Sequence, residues 1–110
     1  MHLPFELATN SRGHLCWGGV DVVELAHRYG TPLYVMDEER IREQCRRYQR
    51  ALSGLAAGGL AAYATKAFWV GGMARLVAEE GLGADVSSEY ELRVALEGGV
   101  PPERLVLHGN

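Results

Sequence analysis

A single lysine lies in an otherwise apolar and aromatic stretch of the chain. Residues 61–69 read AAYATKAFW, with Lys66 flanked by Tyr63 and Phe68. A lysine in such a segment either extends to solvent or is kept for chemistry, because its ammonium group is costly to bury. Desolvation would favour the neutral amine, which attacks carbonyl groups to form a Schiff base. The lysine alone does not show which carbonyl group it attacks. The group could be the carbonyl of a substrate, as in an aldolase, or the aldehyde of pyridoxal phosphate.

Two further polar residues follow short apolar runs. Asp85 lies in GADVSS and His108 follows RLVL. Taken singly, such residues are more often a surface lysine, a turn former and a loop histidine. The carboxyl ends of parallel strands, however, share one rim, with neighbouring strands about 4.8 Å apart. We therefore expect Lys66, Asp85 and His108 to converge on one small molecule.

The elements that must position these residues alternate between strand and helix. The pattern predicts a strand from Leu60 to Lys66, and then a helix over 71–80, a strand over 84–86, a helix over 88–97 and a strand over 104–107. Ser88 and Glu91 form an S-x-x-E capping box for the second of these helices. Short strands joined through helices pair in parallel with right-handed crossovers. This order predicts an α/β fold, either layered or a barrel.

The first half of the chain has its own signals. We predict a short strand over 15–20, a helix from a capping box at Asp21 and Glu24 to Gly30, and a strand over 33–36. Asp37 is expected to cap a longer helix. That helix carries an apolar stripe, which we expect in the core, at Ile41, Cys45, Tyr48 and Leu52. The five arginines of this helix alternate with acidic residues. We therefore expect the arginines to form a solvent-exposed helix face and not a basic patch that binds phosphate or RNA.

The composition excludes several classes of protein. With 110 residues, 47 % hydrophobic, the chain has the size of one domain, and a net charge of −3 gives no field for nucleic acid. We find no apolar run that could cross a bilayer and no secretory signal, so we expect a cytoplasmic protein without membrane partners. Cys16 and Cys45 form no CxxC pair and the four histidines no i, i+4 pair, so no metal site is predicted. Cys45 is expected to be a small buried hydrophobe.

Four stretches carry a family resemblance: YGTPLYVMDEERIREQC, AAYATKAF, GLGADVSSEYELRVAL and LVLHGN. In sequence and order they resemble the N-terminal part of pyridoxal-phosphate-dependent diaminopimelate decarboxylases, of the alanine-racemase-like barrel group. The resemblance runs from about Tyr29 to the end of the chain. Related amino-acid decarboxylases carry lysine motifs similar to YATKA, whereas GTPLYV and HGN favour the diaminopimelate enzymes.

The resemblance implies roles for the three rim residues. Lys66 matches the lysine that holds pyridoxal 5'-phosphate covalently, Asp85 an active-site aspartate near the cofactor, and His108 the histidine of the HGN stretch. The implied reaction removes a carboxylate from meso-2,6-diaminopimelate, an amino-acid substrate, and yields L-lysine and CO2 in lysine biosynthesis. The family builds its sites across a homodimer.

The resemblance also implies an incomplete fold. A complete (β/α)8 barrel of the TIM type takes about 250 residues. Residues 1–36 are expected to contribute to an adjoining β domain, and residues 37–110 to form the first part of the cofactor-binding barrel. The groups for the cofactor phosphate, the pyridine nitrogen and the substrate carboxylates are expected beyond Asn110, so we expect a fragment that is inactive alone.

Three alternatives stay open. A related decarboxylase acting on arginine, ornithine or carboxynorspermidine would share these motifs. A non-catalytic protein that binds or carries pyridoxal phosphate would also keep Lys66. A third possibility, a small α/β interaction module complete at this length, predicts cooperative unfolding as a monomer.

Overall fold

The computed structural model describes residues 7–109, and the chain divides by its internal contacts into two compact units, Met1–Ile41 and Arg42–Asn110. The first unit contains a three-stranded antiparallel sheet of β1 (Ala8–Thr9), β2 (Leu15–Trp17) and β3 (Val20–Asp21), followed by α1 (Val22–Tyr29). The strand predicted over 15–20 is thus two strands. The chain reverses at Gly18 and Gly19, whose φ values of 54° and 79° glycine adopts without steric cost.

The Asp21 carboxylate joins the hairpin to α1. One oxygen accepts from the backbone N–H groups of Val23 and Glu24 at 2.9 and 3.2 Å, which confirms Asp21 as the helix cap. The other oxygen lies 2.7 Å from Asn10 Nδ2 and 2.9 Å from His14 Nδ1. Burial raises the pKa of Asp21, but these hydrogen bonds outweigh it and lower the pKa to about 2.

The strand prediction for residues 33–36 is wrong. This stretch is irregular in the structure, and its Tyr34 side chain is 97 % exposed. A strand needs a neighbour to receive its backbone hydrogen bonds, and an apolar run by itself does not supply one.

The long helix α2 (Glu38–Ser53) begins where predicted, since Asp37 Oδ1 accepts from the backbone N–H of Arg40 at 3.1 Å. The expected apolar stripe is only partly right. Cys45 is buried, as predicted, but Tyr48 is 64 % exposed. Helical spacing defines a face of the helix, whereas the neighbouring elements decide how much of that face is covered.

The prediction of a solvated arginine face is also wrong in part. Arg42 donates to Glu79 at 2.6 Å and to Glu80 at 3.0 Å, and Arg46 donates to Glu80 at 3.0 Å. These bonds hold the pKa of Glu80 below its usual value. The arginines therefore join α2 to the end of the next helix, which no pattern within α2 could indicate.

The second unit is the predicted βαβαβ arrangement. After α2 come β4 (Ala62–Ala64), α3 (Gly71–Glu79), β5 (Gly83–Val86), α4 (Glu89–Glu97) and β6 (Leu105–Leu107), with the strands parallel in the order β4-β5-β6. In register, Ala64 pairs with Asp85 and Asp85 with Val106. Both helices bury apolar side chains with the central strand, and the most fully buried ones are Ala74, Val77, Ala84, Val86, Ala95 and Val100.

We predict that Gly98→Ala destabilises the second unit. An added Cβ would overlap Ala74 of α3, although the backbone of Gly98 suits any residue. The overlap should cost about 1–3 kcal/mol in urea unfolding. Gly72→Ala is the matched control, because its Cβ meets no atom within 4 Å. It should be neutral or stabilising by up to about 1 kcal/mol, and equal effects of the two variants would contradict the packing argument.

Acid should weaken the first unit through Asp21. Its folded pKa of about 2 lies below the ordinary 3.8, so its contribution to stability is complete above 3.8 and is lost as the pH falls toward 2. Carboxyl NMR titration of Asp21, with hydrogen exchange at the Val23 and Glu24 amides, measures this directly. Asp21→Asn should abolish the pH dependence of the protection factors of these two amides, taken relative to the intrinsic exchange rate at each pH, whereas Glu97→Gln should leave it unchanged. A folded chain in which Asp21 titrates at 3.8 would refute the prediction.

Candidate active site

Lys66 lies just beyond the strand to which the sequence assigned it. β4 ends at Ala64, and residues Thr65–Ala67 form a single 3-10 turn. Thr65, the first residue of this turn, is buried, and its hydroxyl donates to the backbone carbonyl of Asp85 at 2.9 Å. The Lys66 side chain is exposed, so the described residues do not supply the desolvation that the apolar run suggested.

The parallel register brings Asp85 and His108 to the same rim. Asp85 is the third residue of β5, and His108 follows β6 while its backbone N–H still donates to Val86 at 2.7 Å. His108 Nδ1 lies 3.4 Å from Asp85 Oδ2. This is long for a hydrogen bond, but it favours the tautomer with its proton on Nδ1.

One cleft of about 270 Å³ lies between these strand ends, and its lining includes all three predicted residues: Ala64, Lys66, Asp85, Ser87, His108 and Gly109. Asn110, the last residue of the HGN stretch, lies outside the described residues. The cleft therefore offers an amine, a carboxylate and an imidazole to one ligand.

Asp85 has one carboxylate oxygen without a protein partner. Within residues 7–109, Oδ1 is buried and accepts no hydrogen bond, while Oδ2 faces His108. A buried acceptor left unpaired is unfavourable by about 1–3 kcal/mol. Such an oxygen suits a ligand that brings an N–H or O–H donor.

Sequence analysis missed the second role of Glu91. The capping box is confirmed on one side, where Ser88 Oγ accepts from the Glu91 N–H at 3.2 Å. The Glu91 carboxylate, however, accepts from the backbone N–H and the hydroxyl of Ser87, at 2.6 and 3.0 Å. The only sequence signal was the pair of serines in SSEYE, which leaves open which N–H the acid reaches.

The aromatic residues near Lys66 pack on each other. Tyr63 and Trp69 stack with ring centroids 5.8 Å apart, and the Tyr63 hydroxyl donates to the Phe68 carbonyl at 3.1 Å. Burial raises the pKa of Tyr63. These contacts lie beside the Lys66 turn, whose lysine stays exposed.

Two absences apply to the part of the chain that the structure describes. Residues 7–109 hold no group of three or more His, Cys, Asp or Glu side chains arranged for a metal ion. None of their helices is long and apolar enough to span a membrane.

A family model described as "Pyridoxal-dependent decarboxylase, pyridoxal binding domain" matches residues 38–110, which is most of the chain. The chain belongs to this decarboxylase family. The cofactor predicted from the sequence, pyridoxal 5'-phosphate, is thereby confirmed for the family, and so is the predicted α/β fold class of an opening (β/α)8 barrel.

Curated relatives and solved structures agree with this family. The chain is 48 % identical over 101 residues to a diaminopimelate decarboxylase of Bacillus methanolicus, covering 92 % of the chain and 23 % of that protein. It is 47 % identical over 105 residues to a diaminopimelate decarboxylase of Methanothermobacter thermautotrophicus, covering 96 % of the chain and 24 % of that protein. The chain spans about a quarter of the length of these relatives.

Among solved structures, one from Aquifex aeolicus matches with a TM-score of 0.83 at 38 % identity, covering 94 % of this chain and 25 % of that one. Diaminopimelate decarboxylase from M. jannaschii in complex with L-lysine matches with a TM-score of 0.80 at 36 % identity and the same coverage. The predicted resemblance to the N-terminal part of these enzymes is confirmed.

We predict that the Thr65 hydroxyl stabilises the end of β4 and the Lys66 turn through its hydrogen bond. Thr65→Val keeps the shape but removes the donor to the Asp85 carbonyl, and should cost about 1 kcal/mol in urea unfolding. Thr65→Ser keeps the donor and loses one methyl group, at about 0.8 kcal/mol. In hydrogen exchange, Thr65→Val should loosen the amides of the Lys66 turn and Thr65→Ser should not. The reverse order would show that the methyl group, and not the hydrogen bond, holds the turn.

Proposed function

We propose that this chain is the N-terminal portion of a pyridoxal-phosphate-dependent carboxy-lyase that converts meso-2,6-diaminopimelate to L-lysine and CO2. The observation that carries the proposal is the position of Lys66. It is the only lysine of the chain, and it lines one cleft with Asp85 and His108. The names of the similar proteins, and the L-lysine complex of one of them, support the choice of substrate.

The residues of the cleft fit the aldehyde end of the cofactor. A primary amine at the mouth of the cleft, Lys66 Nζ, is the group that bonds covalently to an aldehyde carbon. The unpartnered Asp85 Oδ1 fits a ligand that carries a hydrogen-bond donor. We therefore assign Lys66 as the covalent anchor, with Asp85 and His108 as cofactor-binding residues.

Bound pyridoxal phosphate supplies an electron sink for the electron pair that remains when a carboxylate leaves as CO2. With the cofactor bound, the Lys66 amine would have two roles. Its amine holds the cofactor in place before substrate arrives. When it is not bonded to the cofactor, the free Lys66 Nζ would be able to carry the proton that takes the place of the lost carboxylate.

Asp85 and His108 set the polarity next to that amine. The Asp85 carboxylate lies between β4 and β6 in register, so its negative charge favours a cationic or N–H-bearing group in the cleft. With Nδ1 of His108 facing Asp85 at 3.4 Å, Nε2 is the ring nitrogen that a ligand would meet.

Three further predictions accompany the proposal. Residues 1–36 are assigned to an adjoining β domain and residues 37–110 to the barrel. The small antiparallel sheet of the first unit supports that assignment. A homodimer and a cytoplasmic location stay predictions from the sequence.

Covalent capture tests the anchor. The full chain is incubated with pyridoxal phosphate, reduced with borohydride, digested and analysed by mass spectrometry. We expect the pyridoxyl group on Lys66, with the N-terminal amine as the only competing site, and at least about tenfold slower capture for Lys66→Arg than for wild type. Asp85→Asn and His108→Ala should weaken capture without abolishing it. A label confined to the N-terminal amine in wild type would refute the assignment.

Substrate identity is tested with the longest gene product that contains these residues. Release of CO2 is measured from meso-diaminopimelate, arginine, ornithine and carboxynorspermidine. We expect release from diaminopimelate and its loss in Lys66→Ala. Release from another of these substrates would favour a related decarboxylase, and cofactor capture without any release would favour a non-catalytic binding protein.

A further inference from the structure

Glu91 connects the loops that follow two neighbouring strands. It lies in the first turn of α4, and one carboxylate oxygen accepts both the backbone N–H and the hydroxyl of Ser87 at 2.6 and 3.0 Å. Two donors on one charged oxygen make a strong contact. Ser87 lines the cleft, so this contact fixes one wall of it.

The same residue also contacts the segment that carries Lys66. The Thr65 hydroxyl, next to Lys66 in the chain, donates to the Asp85 carbonyl at 2.9 Å. Trp69 Nε1, on the far side of the turn, donates to the backbone carbonyl of Glu91 at 3.0 Å. Thr65 and Trp69 are both buried. Glu91 thus joins the segment after the Lys66 turn, through its carbonyl, to the Ser87 loop, through its carboxylate.

The Glu91 carboxylate is the ionised form in this arrangement. The Ser87 N–H and the Thr65 hydroxyl lower its pKa, in that order of importance. An ionised carboxylate accepts hydrogen bonds only, which matches the two donors from Ser87. A neutral side chain of the same shape would therefore reproduce the contact in part.

We propose that Glu91 is a positioning residue that sets the orientation of Lys66 by tying the Lys66 turn to the Ser87 loop. It does not line the cleft, so it acts through Trp69 and Ser87. The consequence for cofactor binding rests on the proposed function of Lys66, whereas the effect on the Lys66 turn does not.

The single lysine makes a direct test possible. Labelling the full chain with 15N-lysine gives one backbone amide signal, from Lys66. We compare wild type with Glu91→Ala, Glu91→Gln and the control Glu89→Ala, each at a temperature where it is fully folded. Glu89 belongs to the same first turn, but it pairs only with the exposed Arg93, at 2.8 Å.

We expect Glu91→Ala to shift and broaden the Lys66 signal, Glu91→Gln to do so less, and Glu89→Ala to leave it in place. In borohydride capture, Glu91→Ala should slow labelling of Lys66 about tenfold, the scale of a lost supporting contact. Glu91→Gln should recover part of that loss, because its amide oxygen still accepts the Ser87 N–H.

The outcomes separate the two proposals. A folded Glu91→Ala, or a folded Glu91→Gln if the alanine variant does not fold, with an unmoved Lys66 signal overturns the positioning role whatever the capture rate. A moved signal in a chain whose wild type captures no cofactor supports positioning and refutes the proposed function. Equal shifts from Glu91→Ala and Glu89→Ala would also overturn the proposal, since a loss of helix-end charge alone would then explain them.

Discussion

The parallel register of β4, β5 and β6 is the constraint on which the site depends. Ala64, Asp85 and Val106 lie side by side across the three strands. Lys66 and His108 lie two residues beyond the outer members of that row, so both follow just past the level of Asp85 at the carboxyl ends of the strands. Strands about 4.8 Å apart then hold three polar side chains within reach of one ligand. A shift by one residue in either pairing would turn a side chain to the other face of the sheet.

Below the rim, apolar burial maintains that register. Val77, Val86 and Ala95 are almost completely buried where α3 and α4 cover the central strand. Gly98 permits the close approach of the two helices, because a larger residue would overlap Ala74. This core fixes the strands, and it includes Trp69 next to the Lys66 turn.

The turns are also held by hydrogen bonds. Thr65 donates to the Asp85 carbonyl, and the Glu91 carboxylate accepts from Ser87. Each of these bonds joins the end of one strand to a neighbouring element. The backbone on either side of Lys66 is thus fixed at the buried residues Thr65 and Trp69, while the Lys66 side chain is exposed. Its amine therefore stays accessible for covalent chemistry.

The sequence by itself determined the alternation of strands and helices in residues 60–107, the caps at Asp21, Asp37 and Ser88, and Lys66 as the residue to follow. These features are local, since capping residues and apolar periodicity act within a few residues of the chain. The motifs around Lys66, Asp85 and His108 likewise indicated the family before any contact was known.

Only the tertiary structure decided which local signals found partners. Residues 33–36 have the composition of a strand but no neighbouring strand, the exposed Tyr48 lies on a helix face that the fold leaves uncovered, and Arg42 pairs with Glu79 and Glu80 far along the chain. The contact of the Glu91 carboxylate with Ser87 also depends on the tertiary structure, because the path of the chain between β5 and α4 brings the two residues together. Strand pairing, burial and ion pairs between distant residues depend on where the rest of the chain lies, and local sequence does not specify that position.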